Sequence, residues 1–352
     1  MNNTIQIEST TIGEGCKPFI IAELSGNHQQ SYDLAISMID AAAKAGAHAI
    51  KLQTYTADSM TLNLDKDEFV IHDKDSLWAG ESLYALYEKA ATPYDWHRGL
   101  FDHARKLGLI AFSSPFDEAA VDFLETLDVP CYKIASFENT DIPLIRRIAQ
   151  TGKPIIMSTG MASLDELEES VNVIQASGCK ELILLKCTSA YPSPAEDINL
   201  ATLSDLKNRF SCLVGLSDHT TGIEISLAAC ALGACVVEKH FVLDRGAGGV
   251  DAAFSIEPPQ LQALVEQSQR IVLALGKVDY GNTNSDKEAK YYRRSIYISE
   301  DINEGEALTE KNVKVIRPGL GLAPKFYDQI LGKKAKLAIT KGTPLAWELL
   351  DA

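Results

Sequence analysis

Lys51 and Lys133 each lie inside an otherwise apolar run, AIKLQT and YKIAS. An unpaired ammonium there would be costly, so each must meet a carboxylate or a bound anion. Glu23 and Glu238 offer carboxylates for a purely structural ion pair. Ser114, Ser136, Ser158 and Ser217, at the ends of neighbouring runs, favour the second reading, because two ammonium groups among hydroxyls suit a phosphate and a carboxylate. His219 and His240 close two successive apolar runs, and two imidazoles can share one divalent ion while leaving positions for water and substrate. His28 reads as a support for its own loop, and His48, His72, His97 and His103 as surface or helix residues. RGAGGVD (245–251) lacks the strand-turn-helix setting of a dinucleotide fingerprint, and STGM (158–161) is too short for a phosphate loop. Both read as loops that let backbone approach a ligand. No Ser-His-Asp or Cys-His arrangement points to a hydrolase, and Cys187 reads as structural.

What must position these residues is a series of strands near 19–23, 49–53, 109–113, 131–135, 154–158, 181–187, 212–216 and 235–239, alternating with amphipathic helical segments such as 33–45, 164–176, 223–232 and 259–275. Eight such units most simply close into a (β/α)8 TIM barrel. Active sites of that fold lie at the carboxyl ends of the strands, where nearly every strand here carries a polar residue. The connection over 54–92, with Trp78, Tyr84 and Tyr87, is far longer than an ordinary βα loop. It reads equally well as a lid or as a packing excursion.

The composition predicts one large domain over 1–280, a polar linker over 281–292 and a small β-rich module over 293–352. In the module, Ile302, Gly305 and Leu308 recur as Ile339, Gly342 and Leu345. Lys+Arg of 33 against Asp+Glu of 48 gives a net charge of −15, which argues against nucleic acid or anionic membranes as partners. No apolar run approaches a membrane span, MNNTIQIEST lacks the features of a signal peptide, and the seven cysteines form no CxxC pair. These features predict reduced thiols and a cytoplasmic location.

The motifs IAELSGNH (21–28), KLQTY (51–55), FSSPF (112–116), KIAS (133–136), MSTGM (157–161), GLSDHT (215–220) and EKHF (238–241) resemble the sialic acid synthase family over nearly the whole chain. The tail, with RPGLGL at 317–322, is similar to that family's antifreeze-like (SAF) domain. KIASFE, LLKCTSAYP, GGVDAAFSIEP and LWAGESLY look most like its pseudaminate branch, with sialate and legionaminate synthesis as alternatives. The resemblance implies condensation of phosphoenolpyruvate with an amino sugar. It implies that Lys51, Ser114, Lys133, Ser136, Ser158, Ser189 and Ser217 surround phosphoenolpyruvate. It further implies that His219 and His240 hold Mn2+, or else Mg2+ or Co2+, and that Glu23, Gln53, Glu138, Tyr191 and Asp251 face the sugar. Phe137, together with Ala252, Ala253 and Phe254, offers apolar surface for the sugar's methyl and acetamide groups. Glu23 is the expected manager of protons, beside Lys51 and Lys133 as catalytic groups. Arg317 resembles an arginine that reaches a neighbouring barrel in a domain-swapped homodimer. Two rivals stand beside this reading: a pyruvate-dependent aldolase with Lys133 or Lys51 as Schiff base, and a non-catalytic carbohydrate-binding protein.

Overall fold

The computed structural model describes residues 4–64, 66–74, 76–281 and 283–351. The chain opens with an antiparallel pair, β1 (Thr4–Ile7) and β2 (Thr10–Gly13), in which Ile5 faces Ile12. Four-residue strands carry too short a pattern to be read reliably from sequence. Tertiary packing defines this hairpin, because Ile5, Ile7 and Ile12 are buried in the same apolar cluster as the barrel strands.

Eight parallel strands follow and close on themselves: β3 (Phe19–Glu23), β4 (Ala49–Thr54), β5 (Ile110–Pro115), β6 (Tyr132–Ile134), β7 (Ile155–Ser158), β8 (Leu182–Cys187), β9 (Leu213–Asp218) and β10 (Val236–His240). β10 pairs with both β9 and β3, so the eight-stranded barrel expected from the sequence is present. The strands are apolar because both faces are covered, one by the barrel interior and one by helices. Those helices include Tyr32–Lys44, Tyr94–Lys106, Leu164–Ala176, Glu224–Ala231 and Pro258–Leu275. Their starts are set locally: the Ser31 side chain accepts from Leu34 N, and Ser163 with Glu166 forms a reciprocal capping box.

The pleat decides which polar residues reach the interior. On β4 and β5, Lys51 Nζ donates to Ser114 Oγ at 3.1 Å inside the barrel. The intervening positions turn outward, where Thr54 bonds Ser113 Oγ at 2.6 Å and His97 Nε2 at 2.8 Å. His97 lies on a helix, as expected, yet is fully buried, and burial lowers its pKa to about 4.

The compact units are Met1–Gly276 and Lys277–Ala352. In the second, β11 (Ser295–Ile298) pairs antiparallel with β12 (Val313–Ile316), and Ile296, Ile298, Leu308, Val313, Ile330 and Leu345 form a separate core. The repeated isoleucines meet: Ile302 and Ile339 exchange backbone hydrogen bonds of 2.9 and 2.8 Å. The stretch expected as a linker is more ordered than a bare connector. It contains a helix, Asn284–Ala289, and Tyr291 O accepts from Gly319 N at 2.8 Å, which ties it to the second unit.

Candidate active site

The strand ends bring the two lysines and their hydroxyls into one buried cluster. Lys51 Nζ lies 2.6 Å from Glu23 Oε2 and 3.6 Å from Glu238 Oε1. β3 and β4 pair Glu23 with Lys51 in register, which explains the first contact. Burial alone would depress the Lys51 pKa, but Glu23 and then Glu238 outweigh it and raise it, so the ammonium stays charged. Ser217 Oγ donates to Glu238 Oε1 at 3.2 Å, closing the cluster across β9 and β10. Sequence reasoning named Glu238 only as a structural partner. Its place two residues before His240, on the same strand face, is the signal that puts it in the site.

Lys133 Nζ donates to Ser158 Oγ at 2.7 Å and to Ile134 O at 2.8 Å. Burial dominates its environment and lowers its pKa, with Glu238 opposing. Gly160 sits between two of the expected hydroxyls: a Cβ there would come within 2.6 Å of Ser136 Oγ and closer still to Ser189 Oγ. Asn139, absent from the sequence-based set, fixes this loop by donating to Ser158 O at 3.3 Å and Gly160 O at 2.9 Å.

His219 and His240 lie with ring centroids 5.3 Å apart, as their strand-end positions predicted. His219 Nδ1 donates to Thr188 O at 3.1 Å, and His240 Nδ1 lies 3.4 Å from Asp251 Oδ2. The His219 Nδ1 bond to a carbonyl is the arrangement that orients a histidine ligand and leaves Nε2 for an ion, whereas the buried His240 Nδ1 has no hydrogen-bond partner of its own among the described residues. Among the described residues no cluster of three or more His, Cys, Asp and Glu has metal-holding geometry. The protein donors at this position are the two imidazoles, whose ring centroids lie 5.3 Å apart. Ser25 Oγ donates to Asp251 Oδ2, and Asp251 N to Asn27 Oδ1 at 3.1 Å, so the first and last strand ends are tied together. His28 is buried against Thr92 Oγ1 at 3.1 Å, away from the imidazole pair, and supports its loop through Gln30 N. Cys187, read as structural, lies 3.8 Å from His219 Nδ1. Burial would raise its pKa, but the His219 contact, together with Ser136 and the Lys133 charge, outweighs this and brings it to about 7.

The residues expected on the sugar side differ in burial. Tyr191 packs 4.6 Å from the His219 ring and 5.3 Å from Phe254, which lies 4.9 Å from His240. Glu138 is buried, and burial raises its pKa to about 7 against the opposing pull of Lys133. Gln53 pairs in register with Ser114 and is half-buried. Phe137 is 62% exposed, while Ser136 and Glu138 on either side are buried. A three-residue 3-10 turn, Ser136–Glu138, separates them, and strand parity cannot be extended through it. Ala253 is likewise exposed, leaving Ala252 and Phe254 as the buried apolar pair. Arg317 is exposed at the end of β12 in the second unit.

All seven cysteines are free. Among the described residues no helix is long and apolar enough to cross a membrane. The NeuB family model matches residues 38–280 and the SAF domain model residues 293–351. A pseudaminic acid synthase of Campylobacter jejuni is 47% identical over 94% of this chain and 95% of its own length. One of Helicobacter pylori is 46% identical over 94% and 96%. The solved N-acetylneuraminic acid synthetase of Leptospira borgpetersenii, in complex with citrate, is 33% identical, covers 81% of this chain and 94% of its own, and superposes with a TM-score of 0.73. With a barrel and a following module both matched, the chain belongs to the NeuB family and carries its SAF domain at residues 293–351.

Proposed function

We propose that this chain condenses phosphoenolpyruvate with 2,4-diacetamido-2,4,6-trideoxy-L-altrose to give pseudaminic acid and phosphate. The observation that carries this reading is the 46–47% identity, over 94% of the chain, to two pseudaminic acid synthases. The buried cluster at the strand ends supplies chemistry that matches. In the reaction the enol carbon of phosphoenolpyruvate bonds to the aldehyde carbon of the open-chain sugar, whose oxygen takes a proton. Water adds at the carbon bearing phosphate and gives up a proton, and that carbon's bond to the phosphate oxygen then breaks, releasing phosphate.

Lys51 and Lys133 supply two buried cations for the carboxylate and phosphate, with Ser114, Ser136, Ser158, Ser189 and Ser217 as hydroxyl partners. Such donors are already oriented before substrate arrives, which favours charge developing in the transition state. Glu23, held by Lys51 and Ser25 N, is the carboxylate placed to move protons between water and the sugar oxygen. Gln53, Tyr191 and Asp251 face the sugar, and Glu138, which keeps its proton to about 7, can donate a hydrogen bond to it. A divalent ion on His219 and His240, Mn2+ foremost, with Mg2+ or Co2+ as alternatives, polarises the sugar's carbonyl oxygen when bound.

The working assembly in this reading is a cytoplasmic homodimer in which Arg317 of each copy serves the other copy's sugar site. The seven free thiols support a reducing compartment, and the exposed position of Arg317 leaves its guanidinium available to an acetamide carbonyl. The test is mass spectrometry of the products formed from phosphoenolpyruvate and a mixed pool of N-acetylmannosamine and 2,4-diacetamido-2,4,6-trideoxyhexoses. A product with the mass of pseudaminate, confirmed by its stereochemistry, is expected. Turnover of N-acetylmannosamine with equal catalytic efficiency would overturn the reading.

A further inference from the structure

Within the long excursion after β4 the backbone closes a loop: Ile71 N donates to Glu81 O at 3.0 Å and Gly80 N to Ile71 O at 2.7 Å. Trp78 lies in that loop close to its closure, its carbonyl accepting from Glu81 N at 3.1 Å. Its indole N–H donates to Val250 O at 3.1 Å, in the loop that carries Asp251 and Phe254. Its ring lies 6.0 Å from that of Tyr191, which in turn packs against His219. Two loops distant in sequence are therefore joined beside the aromatic rings, Tyr191 and Phe254, that pack against the two imidazoles. The close fit continues behind it, where a Cβ on Gly26 would meet Ala90 at 3.0 Å and Val250 Cγ2 at 3.2 Å.

Building on the amino-sugar reading above, we propose that Trp78 is a specificity-determining residue for the sugar. Its indole forms the apolar wall over the sugar side of the site, and its N–H latches the 249–255 loop that presents Asp251. The sugar chemistry that suits such a wall is one with methyl groups, a deoxy carbon and acetamides, since an aromatic face contacts methyl and C–H groups without leaving a hydroxyl unpaired. The phosphoenolpyruvate cluster around Lys51 and Lys133 is built by other residues and does not depend on this wall.

The experiment uses the full-length enzyme and compares W78F, which keeps an aromatic ring but loses the N–H donor, with W78A, which loses both. Steady-state constants are measured for the 6-deoxy diacetamido sugar and for phosphoenolpyruvate separately. In W78A the sugar KM rises by about tenfold while the phosphoenolpyruvate KM stays within about twofold, and W78F falls between W78A and wild type. A merely structural role would move both constants together, or lower the melting temperature without separating them. Wild-type turnover with an unchanged sugar KM in both variants overturns the assignment of Trp78 alone, as does an equal rise in both KM values. Absence of wild-type turnover on every amino sugar offered overturns the underlying reading and this inference with it.

Discussion

Replacing Lys51 with methionine keeps much of the side chain's volume but removes the ammonium that faces Glu23 at 2.6 Å and Glu238 at 3.6 Å. Glu238 retains Lys133 as its strongest attraction, whereas Glu23, fully buried, is left with one backbone donor, Ser25 N at 3.0 Å. Stranding a buried charge in this way costs about 3–5 kcal/mol. At roughly 2–4 °C per kcal/mol, K51M should lower the barrel's Tm by roughly 6–20 °C. The double variant K51M/E23Q removes the stranded charge as well and should regain most of that loss. An exposed control separates this effect from loss of any lysine: Lys89 pairs with Glu81 at 3.4 Å with its side chain 62% exposed, so K89M should cost no more than about 1 kcal/mol. The assay is thermal unfolding of the purified metal-free variants, since K51M is expected to lack activity with or without the second change. If K51M/E23Q proved no more stable than K51M, or if K89M cost as much as K51M, the reasoning about the buried pair would be refuted.

Four further outcomes follow from the same geometry. H219A/H240A should lose both turnover and measurable Mn2+ binding by titration calorimetry, and wild-type activity of that variant in chelated buffer would remove the two histidines as ligands. Glu138 holds its proton to about 7 when folded, against 4.5 as its ordinary value, so between those values the folded state binds more protons and stability should fall as pH rises. Denaturant titrations from pH 5 to 8 should show that slope flattened in E138Q, and an identical slope would contradict the buried, neutral assignment. The buried pair Lys239–Asp218, 3.0 Å apart, with Ser226 Oγ donating to the carboxylate, links β9 and β10 next to the two imidazoles. K239M should therefore destabilise by about 3–5 kcal/mol, and D218N/K239M should recover much of it. Mixing R317A with K51A under subunit exchange should restore part of the activity, because one site of the mixed dimer combines an intact barrel with an intact tail. Exchange verified by mass with no recovered activity would count against Arg317 acting on a partner.

The barrel was legible because parallel strands covered on both faces read as continuous apolar runs, and eight of them alternated with helical patterns. The core of the candidate site was legible for the same reason: Lys51, Lys133, His219 and His240 interrupt or end those runs, and each lies where the strand ends converge. Only the tertiary structure decided the rest. Lys239 lies in an apolar strand just as Lys51 does, yet it faces outward to Asp218 and Thr220 O at 2.7 Å, because one step along a strand reverses the side chain's face. Phe137 stands in solvent because a 3-10 turn breaks that alternation. Ser25 reaches Asp251, and Trp78 reaches Val250 and Tyr191, only after barrel closure brings the first and last strands side by side. Local pattern determines which residues are apolar, turned or exposed to one face. Contacts between segments more than a hundred residues apart arise from the closing of the sheet, which no short window of sequence records.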